Sequence, residues 1–538
     1  MPPKFVFALI VYCFSASITS AAEPLSRQID EKILAKAAGK PASSLTDDAE
    51  FLRRVYLDFA GRIPSVEQLR GFLADKLLDK RAKVIDHLLN GPDYPKRMTE
   101  IFHVMLMERL GDHAEWTKYL TTSFKDNKPW DKMAREMLRA DAADEANRGA
   151  AFFLSKRLEN YGQNPVDYPA LTRDIGRLFL GKNLQCAQCH DHLFIDEYKQ
   201  QHFQGLFAFV QNLQLGDAKL PSVAEKLTTG KVAFMSVFKK INRETGPSLP
   251  GGKEIEPPIF KKGEEYIVAP NLKTKTRGVP KFSTLAILSE QLPASDNKDF
   301  TRNIVNRIWF VAMGRGLVHP LDLNHKDNPA SHPELLDLLA SEFVAHKFDI
   351  KWLFRELALT QTYQRSSVLP KGVDTIAPES FLTAIEKRVS AEQLMESMLE
   401  AAGERDRYLA VKKADPNVKT ESIASLQAKF LKAFANPARD PEEEFNPSLK
   451  AALFILNDPT ILDWLTPRPG NLIDRLSKIA DDGKAAEEMY LSVLSRIPTD
   501  EEKSGVVKYL TKNSAKRVAA LGQFAWALLA STEFSVNH

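Results

Sequence analysis

Tyr56-Leu57-Asp58-Phe59-Ala60-Gly61-Arg62-Ile63-Pro64-Ser65-Val66-Glu67-Gln68-Leu69-Arg70-Gly71-Phe72-Leu73 carries a turn followed by a marked helix start. Pro64 precedes Ser65, whose hydroxyl accepts from the amide three residues on while the Gln68 side chain reaches back, a capping box. Leu69, Phe72 and Leu73 then recur at the spacing of one helix face. Working outward, Val84, Ile85, Leu88 and Leu89 make another apolar face. Asn90-Gly91-Pro92 should end it, glycine by tolerating the left-handed conformation and proline by refusing to continue. The sequence therefore predicts helices from about Asp47 to Phe209.

The opening stretch occurs twice. Tyr490-Leu491-Ser492-Val493-Leu494-Ser495-Arg496-Ile497-Pro498-Thr499 repeats Tyr56 to Ser65, and Glu502 answers Gln68. Each copy is followed by further helix, closing at Pro92-Asp93-Tyr94 and at Ser531-Thr532-Glu533-Phe534. Two copies are too few for a solenoid, so the pair reads as a shared helix–turn–helix module concerned with packing.

Between about Gln211 and Asn297 the texture changes. Gly246-Pro247-Ser248-Leu249-Pro250-Gly251-Gly252 and Pro257-Pro258 break helices, while Val232–Phe238 and Glu265–Val268 have strand character. Helical signals return from Asp299. Ser331 with Glu334 and Ser390 with Gln393 have capping-box spacing, and Asp458-Pro459 offers an N-cap with proline at the first helical position. The expected fold is mainly α. Two multi-helix domains, 23–213 and 298–538, are joined by a connecting segment, 214–297, with a small β-sheet.

At 538 residues the chain exceeds one ordinary core. Its 73 basic and 70 acidic residues leave a net charge of +3, which points to neither nucleic acid nor an acidic membrane surface. Lys4 is the only charge among the first 22 residues. An apolar run from Phe5 to Ile18 follows, then Ser20-Ala21-Ala22. That is the build of a cleaved export signal, and the run is too short to span a bilayer. The expected location is periplasmic or extracellular, at the cell surface, with no transmembrane segment in the mature chain.

Removing residues 1–22 leaves two cysteines, both in Cys186-Ala187-Gln188-Cys189-His190. A disulfide-stapled secreted fold would spread more of them along the chain. Cysteines three apart on a helical turn share a face and can reach the two vinyl groups of a haem, and the next histidine supplies the proximal nitrogen. Covalent haem c, with Cys186, Cys189 and His190 as its residues and His190 on the iron, is the leading expectation. A short disulfide is an alternative. So is a zinc site drawing on Cys186, Cys189, His190 or His192, and His202. For the distal iron position His202 and Met235 are the candidates, with Met98, Met105 and Met107 behind them. Function follows the same fork: electron transfer or redox sensing with a redox or surface protein partner, or a non-catalytic helical binding or scaffold protein in which the cysteines form a clip. Gly314-Arg315-Gly316 is a turn rather than a dinucleotide loop, and Asp322 to Asn328 lacks the glycine and glutamate of a calcium loop. Carboxylates abound without an identifiable pairing, so no catalytic residue is assigned.

Leu184-Gln185-Cys186-Ala187-Gln188-Cys189-His190-Asp191-His192 with Phe194 resembles the planctomycete-type cytochrome-like domain of unknown function. Phe51 to Asp58 and Gly61-Arg62-Ile63-Pro64 resemble its opening. Asn306-Arg307-Ile308-Trp309, Gly314 to Val318, Asn328 to Leu336, Tyr363 to Ser367 and Leu456 to Thr460 resemble its usual C-terminal partner, also of unknown function. The resemblance implies an exported setting and supports haem by name, without an established activity. Many relatives carry a further N-terminal cytochrome-type module, which this sequence lacks. Phe179 stands seven residues before Cys186 rather than about four, so a standard cytochrome c fold is not expected.

Overall fold

The computed structural model describes residues 23–139, 143–160, 165–216, 220–271, 273–274, 277–410, 421–440 and 449–538. The export signal expected over 1–22 lies outside the described residues. Helices dominate, and the strands form separate two-stranded antiparallel pairs. The connecting segment holds three such pairs: Leu213–Leu215 with Val223–Glu225, Val232–Met235 with Asn242–Thr245, and Tyr266–Val268 with Val279–Pro280. The small amount of β-structure expected there is present, as separate two-stranded ladders. Pro- and Gly-rich stretches between them interrupt the ladder donors that would merge them. A fourth pair, Lys387–Arg388 with Val536–Asn537, fastens the C-terminus.

Two hydrophobic cores organise the chain. The first runs from Leu25 through Leu213 and continues with Leu285 to Leu382. The second is built from Val389 to Phe534. The C-terminal segment is therefore divided, its first helices sharing a core with the N-terminal segment. Buried polar ties follow the same seam. Asn303 Nδ2 donates to Leu178 O at 2.7 Å, Arg307 Nη2 to Arg177 O at 2.9 Å, and Arg54 Nη1 to Arg365 O at 2.8 Å.

The sequence repeat is a structural repeat. Helix Asp48–Ala60 ends on Gly61 at φ 71°, and helix Asp482–Leu494 ends on Ser495 at φ 57°, both left-handed. Arg62 Nη1 donates to Ile63 O at 3.2 Å, and Arg496 Nη1 to Ile497 O at 3.3 Å. Each guanidinium lies over its module's tyrosine, Arg62 5.8 Å from the Tyr56 ring and Arg496 5.3 Å from that of Tyr490. Each also pairs with the acid that closes its module, Arg62 with Asp93 at 3.1 Å and Arg496 with Glu533 at 2.9 Å. Complete capping boxes, Ser65/Gln68 and Thr499/Glu502, start the next helices. The two copies exchange side chains: Leu57 is buried in the second core and its counterpart Leu491 in the first.

The capping box expected at Ser390/Gln393 is complete, and Asp458 caps a helix with Pro459 at its first turn. Two local expectations are corrected. Ser331 does not cap helix Pro333–Ala345: Pro333 presets the first helical position, His332 takes the N-cap place, and the Ser331 hydroxyl meets the His332 ring instead. Helix Lys80–Leu89 does end at Asn90-Gly91, but Asn90 stays right-handed and Gly91 has no positive φ; proline, not glycine, stops it.

Candidate functional site

Cys186–Gln188 forms one 3-10 turn, closed by Cys189 N donating to Cys186 O at 3.3 Å. Residues three apart eclipse on such a turn, which puts Cys186 and Cys189 on one side. Both thiols are free and exposed. The intervening residues point the other way and anchor the turn. Ala187 is fully buried, and Gln188 accepts from Arg173 on its side chain at 2.7 Å and from Gln204 on its carbonyl at 3.0 Å.

His190 is half-buried and oriented from two sides. Its Nδ1 lies 2.7 Å from Asp191 O, and its ring centroid 4.7 Å from that of Phe238. With Nδ1 donating to that carbonyl, Nε2 carries the lone pair, which is how proteins commonly fix an imidazole that binds a metal. Asp191 is held too: its carboxylate accepts from Gln200 N at 3.0 Å, a bond that lowers its pKa. His192 has a different task. Its Nδ1 accepts from the amides of Phe194 and Ile195, at 3.2 and 3.0 Å, and so shapes the following turn. Burial, then the neighbouring His190 and His325, lower its pKa.

The hairpin of the connecting segment lies against the motif. Val237 N donates to Cys189 O at 3.2 Å, and Gln200 Nε2 donates to both Gln188 O and Met235 O. Met235, one distal candidate, is therefore brought beside the motif and is half exposed. His202, the other, sits half-buried on helix Gln200–Val210. Burial lowers its pKa, opposed by a hydrogen bond with the Glu197 backbone. Met98 and Met107 are fully buried core residues. Exposed apolar side chains flank the motif: Met235, Val237 and Phe238 on the segment that touches it, and Leu193 and Phe194 just after it in the chain, Phe194 by 85% and Phe238 by 64%. Large apolar groups gathered at one exposed place mark a covered surface more often than chance scatter does. Among the described residues, no group of three or more His, Cys, Asp or Glu is arranged to hold a metal ion.

A second constellation escaped the sequence. A cavity of about 340 Å³ opens at the seam between the two halves, bordered by helix Asp93–Met107, helix Lys298–Met313 and strand Lys387–Arg388. Arg109 grips Glu392 through both Nη atoms at 2.6 and 3.2 Å, and Arg177 grips Glu108 at 2.6 Å through each. Lys387 donates to both Asp58 oxygens at 2.9 Å and to the Val311 and Ala312 carbonyls; burial lowers its pKa. Glu100 differs. Burial pushes its carboxyl up to about 7, with Arg97 opposing and Glu392 adding to the rise. Arg97 and Glu100 look in sequence like any i,i+3 charged pair on a helix surface, so no local pattern distinguishes them.

Two family models match the chain: PSCyt2, protein of unknown function (DUF1549), over residues 28–215, and PSD1, protein of unknown function (DUF1553), over residues 286–510. No curated protein and no solved structure matches it. No helix among the described residues is long and apolar enough to cross a membrane.

Proposed function

For a chain that joins a PSCyt2 domain to a PSD1 domain, the families supply no activity, and we propose from its residues that it is an exported protein binding haem c covalently, for electron transfer or redox sensing. The observation that carries this reading is the exposed thiol pair on one side of a turn that Val237 and Phe238 touch, beside an imidazole whose Nδ1 is already engaged. The residues present fit the group. Cys186 and Cys189 would hold it through thioether bonds, His190 Nε2 would bind its iron, and Val237 and Phe238, which touch the motif, would offer apolar surface beside it. When bound, the haem supplies one-electron redox chemistry. The chain's part is to orient the imidazole through Asp191 O and to exclude water with the hairpin. Met235, which shares the Gln200 amide with the motif, would be offered to the iron ahead of His202.

Protein produced with haem-maturation machinery should keep its Soret band after acid–acetone extraction and carry the haem mass. Cys186→Ser should leave at most one thioether, and His190→Ala should disturb the axial field. Colourless wild-type protein without the added mass would replace this reading with a disulfide or zinc clip, to be told apart by thiol titration before and after reduction or chelation.

A further inference from the structure

Arg97 is unlike the other cations of the seam cavity. It is only 9% exposed, its Nε is buried without a hydrogen-bond partner among the described residues, and its ion pair with Glu100 is long, 3.6 Å. Arg109, Arg177 and Lys387, by contrast, are saturated by Glu392, Glu108 and Asp58. A buried Nε left without an acceptor, beside an Nη1 held only by a long ion pair, runs against the rule that interior donors find acceptors. Its fork of donors matches a carboxylate bidentately. Ile101, Val104, Met105, Phe310 and Phe434 contribute apolar wall to the same cavity. Asp58, Glu108 and Glu392 of the same wall are already paired with Lys387, Arg177 and Arg109, and Glu100 would repel a second negative charge.

We propose that this cavity binds a small organic monocarboxylate with an apolar body, its carboxylate held by Arg97. The cavity volume, about 340 Å³, is at the lower end of small-molecule sites. Glu100 couples the binding to a proton. The groups that face it are Arg97 and Lys96 on its own helix, and Glu392 and Glu396 from helix Ala391–Ala402. Arg109 neutralises Glu392, and Lys96 pairs with Glu396. Its carboxyl, raised to about 7, is the group whose charge changes near neutrality. Protonated, it releases Arg97 to the ligand; ionised, it competes for that guanidinium. Binding therefore strengthens as pH falls through 7.

Calorimetric titration of the full chain with hexanoate and benzoate, against hexanamide and benzamide, tests the site. The carboxylates should bind, about tenfold more tightly at pH 6 than at pH 8, which follows from protonating one group near pH 7. The amides should not bind. Arg97→Gln should weaken carboxylate binding at least tenfold. Because Arg97 packs over Gly61 and its loss could disturb folding, Glu100→Gln is the second arm: it should bind at pH 8 as the unaltered chain does at pH 6. Equal binding of the amides, no binding of either carboxylate to folded protein, or a pH dependence that survives Glu100→Gln would overturn the proposal.

Discussion

The two copies of the repeated module share their local geometry and differ in what surrounds it. In the first, the left-handed position is Gly61, and a Cβ there would stand 3.1 Å from Arg97 Cδ and 3.7 Å from Glu100 Oε2. In the second it is Ser495, buried, with a hydroxyl that has no hydrogen-bond partner among the described residues. Arg62 is buried between Asp93 and Glu400, whereas Arg496 shares Glu502 and Glu533 nearer solvent. One sequence device has thus been used twice. The first copy, where the two halves of the chain meet over it, borders the seam cavity through Asp58. Local interactions reproduce the turn, and the neighbours decide whether the turn serves a site.

Removing the arginines should separate the copies most. Arg62→Ala takes the direct partner from Glu400 and one of two arginines from Asp93 in a largely buried place, and should cost about 3 kcal/mol. Arg496→Ala, more solvated and screened, should cost about 1 kcal/mol. Equilibrium urea unfolding measures both, and equal losses would mean that burial does not distinguish the modules.

Exchanging the left-handed residues should move stability in opposite directions. Gly61→Ser adds the strain of a left-handed Cβ and presses on Arg97, for a loss of about 2 kcal/mol. Ser495→Gly relieves the same strain and removes an unpartnered hydroxyl, so it should gain about 1 kcal/mol. A gain at both positions would show that Arg97 does not need the space that Gly61 leaves.

The smallest effects concern helix starts, where the copies should agree. Ser65→Ala and Thr499→Ala should each lose about 1 kcal/mol with the N-cap acceptor. Ser331→Ala, which caps nothing, should stay within about 0.5 kcal/mol. A shift in thermal midpoint for Ser331→Ala as large as for Ser65→Ala would contradict the cap assignment at His332.

Much of the helical plan could be read before the structure, because capping boxes, prolines and apolar periodicity act within a few residues. Ser65/Gln68, Ser390/Gln393 and Asp458-Pro459 all form as their spacing implies. Ser331 misled because two starts compete there, and the preset φ of Pro333 wins. At the candidate haem site, the pattern named Cys186, Cys189 and His190 but could say nothing of the apolar surface around them. Val237 and Phe238 reach the motif by folding back from nearly fifty positions downstream. The cavity was out of reach altogether. Its open Arg97 is recognised by what fails to bond to it, and that is a property of the neighbours assembled around it.

By itself, then, the sequence determined the mainly helical class, the two modules with their caps, the pair of family domains and the thiol–imidazole motif. Each depends on residues close together in the chain, whose hydrogen bonds and steric limits operate whatever the rest does. Only the tertiary structure decided that Leu57 and Leu491 would trade cores, that the C-terminal segment would divide between two cores, and that Arg97 and Glu100 would be buried at the seam. Burial and charge pairing are set by segments hundreds of residues apart, and it is desolvation first, with the nearby Glu392 and Glu396 adding to it, that raises the Glu100 carboxyl.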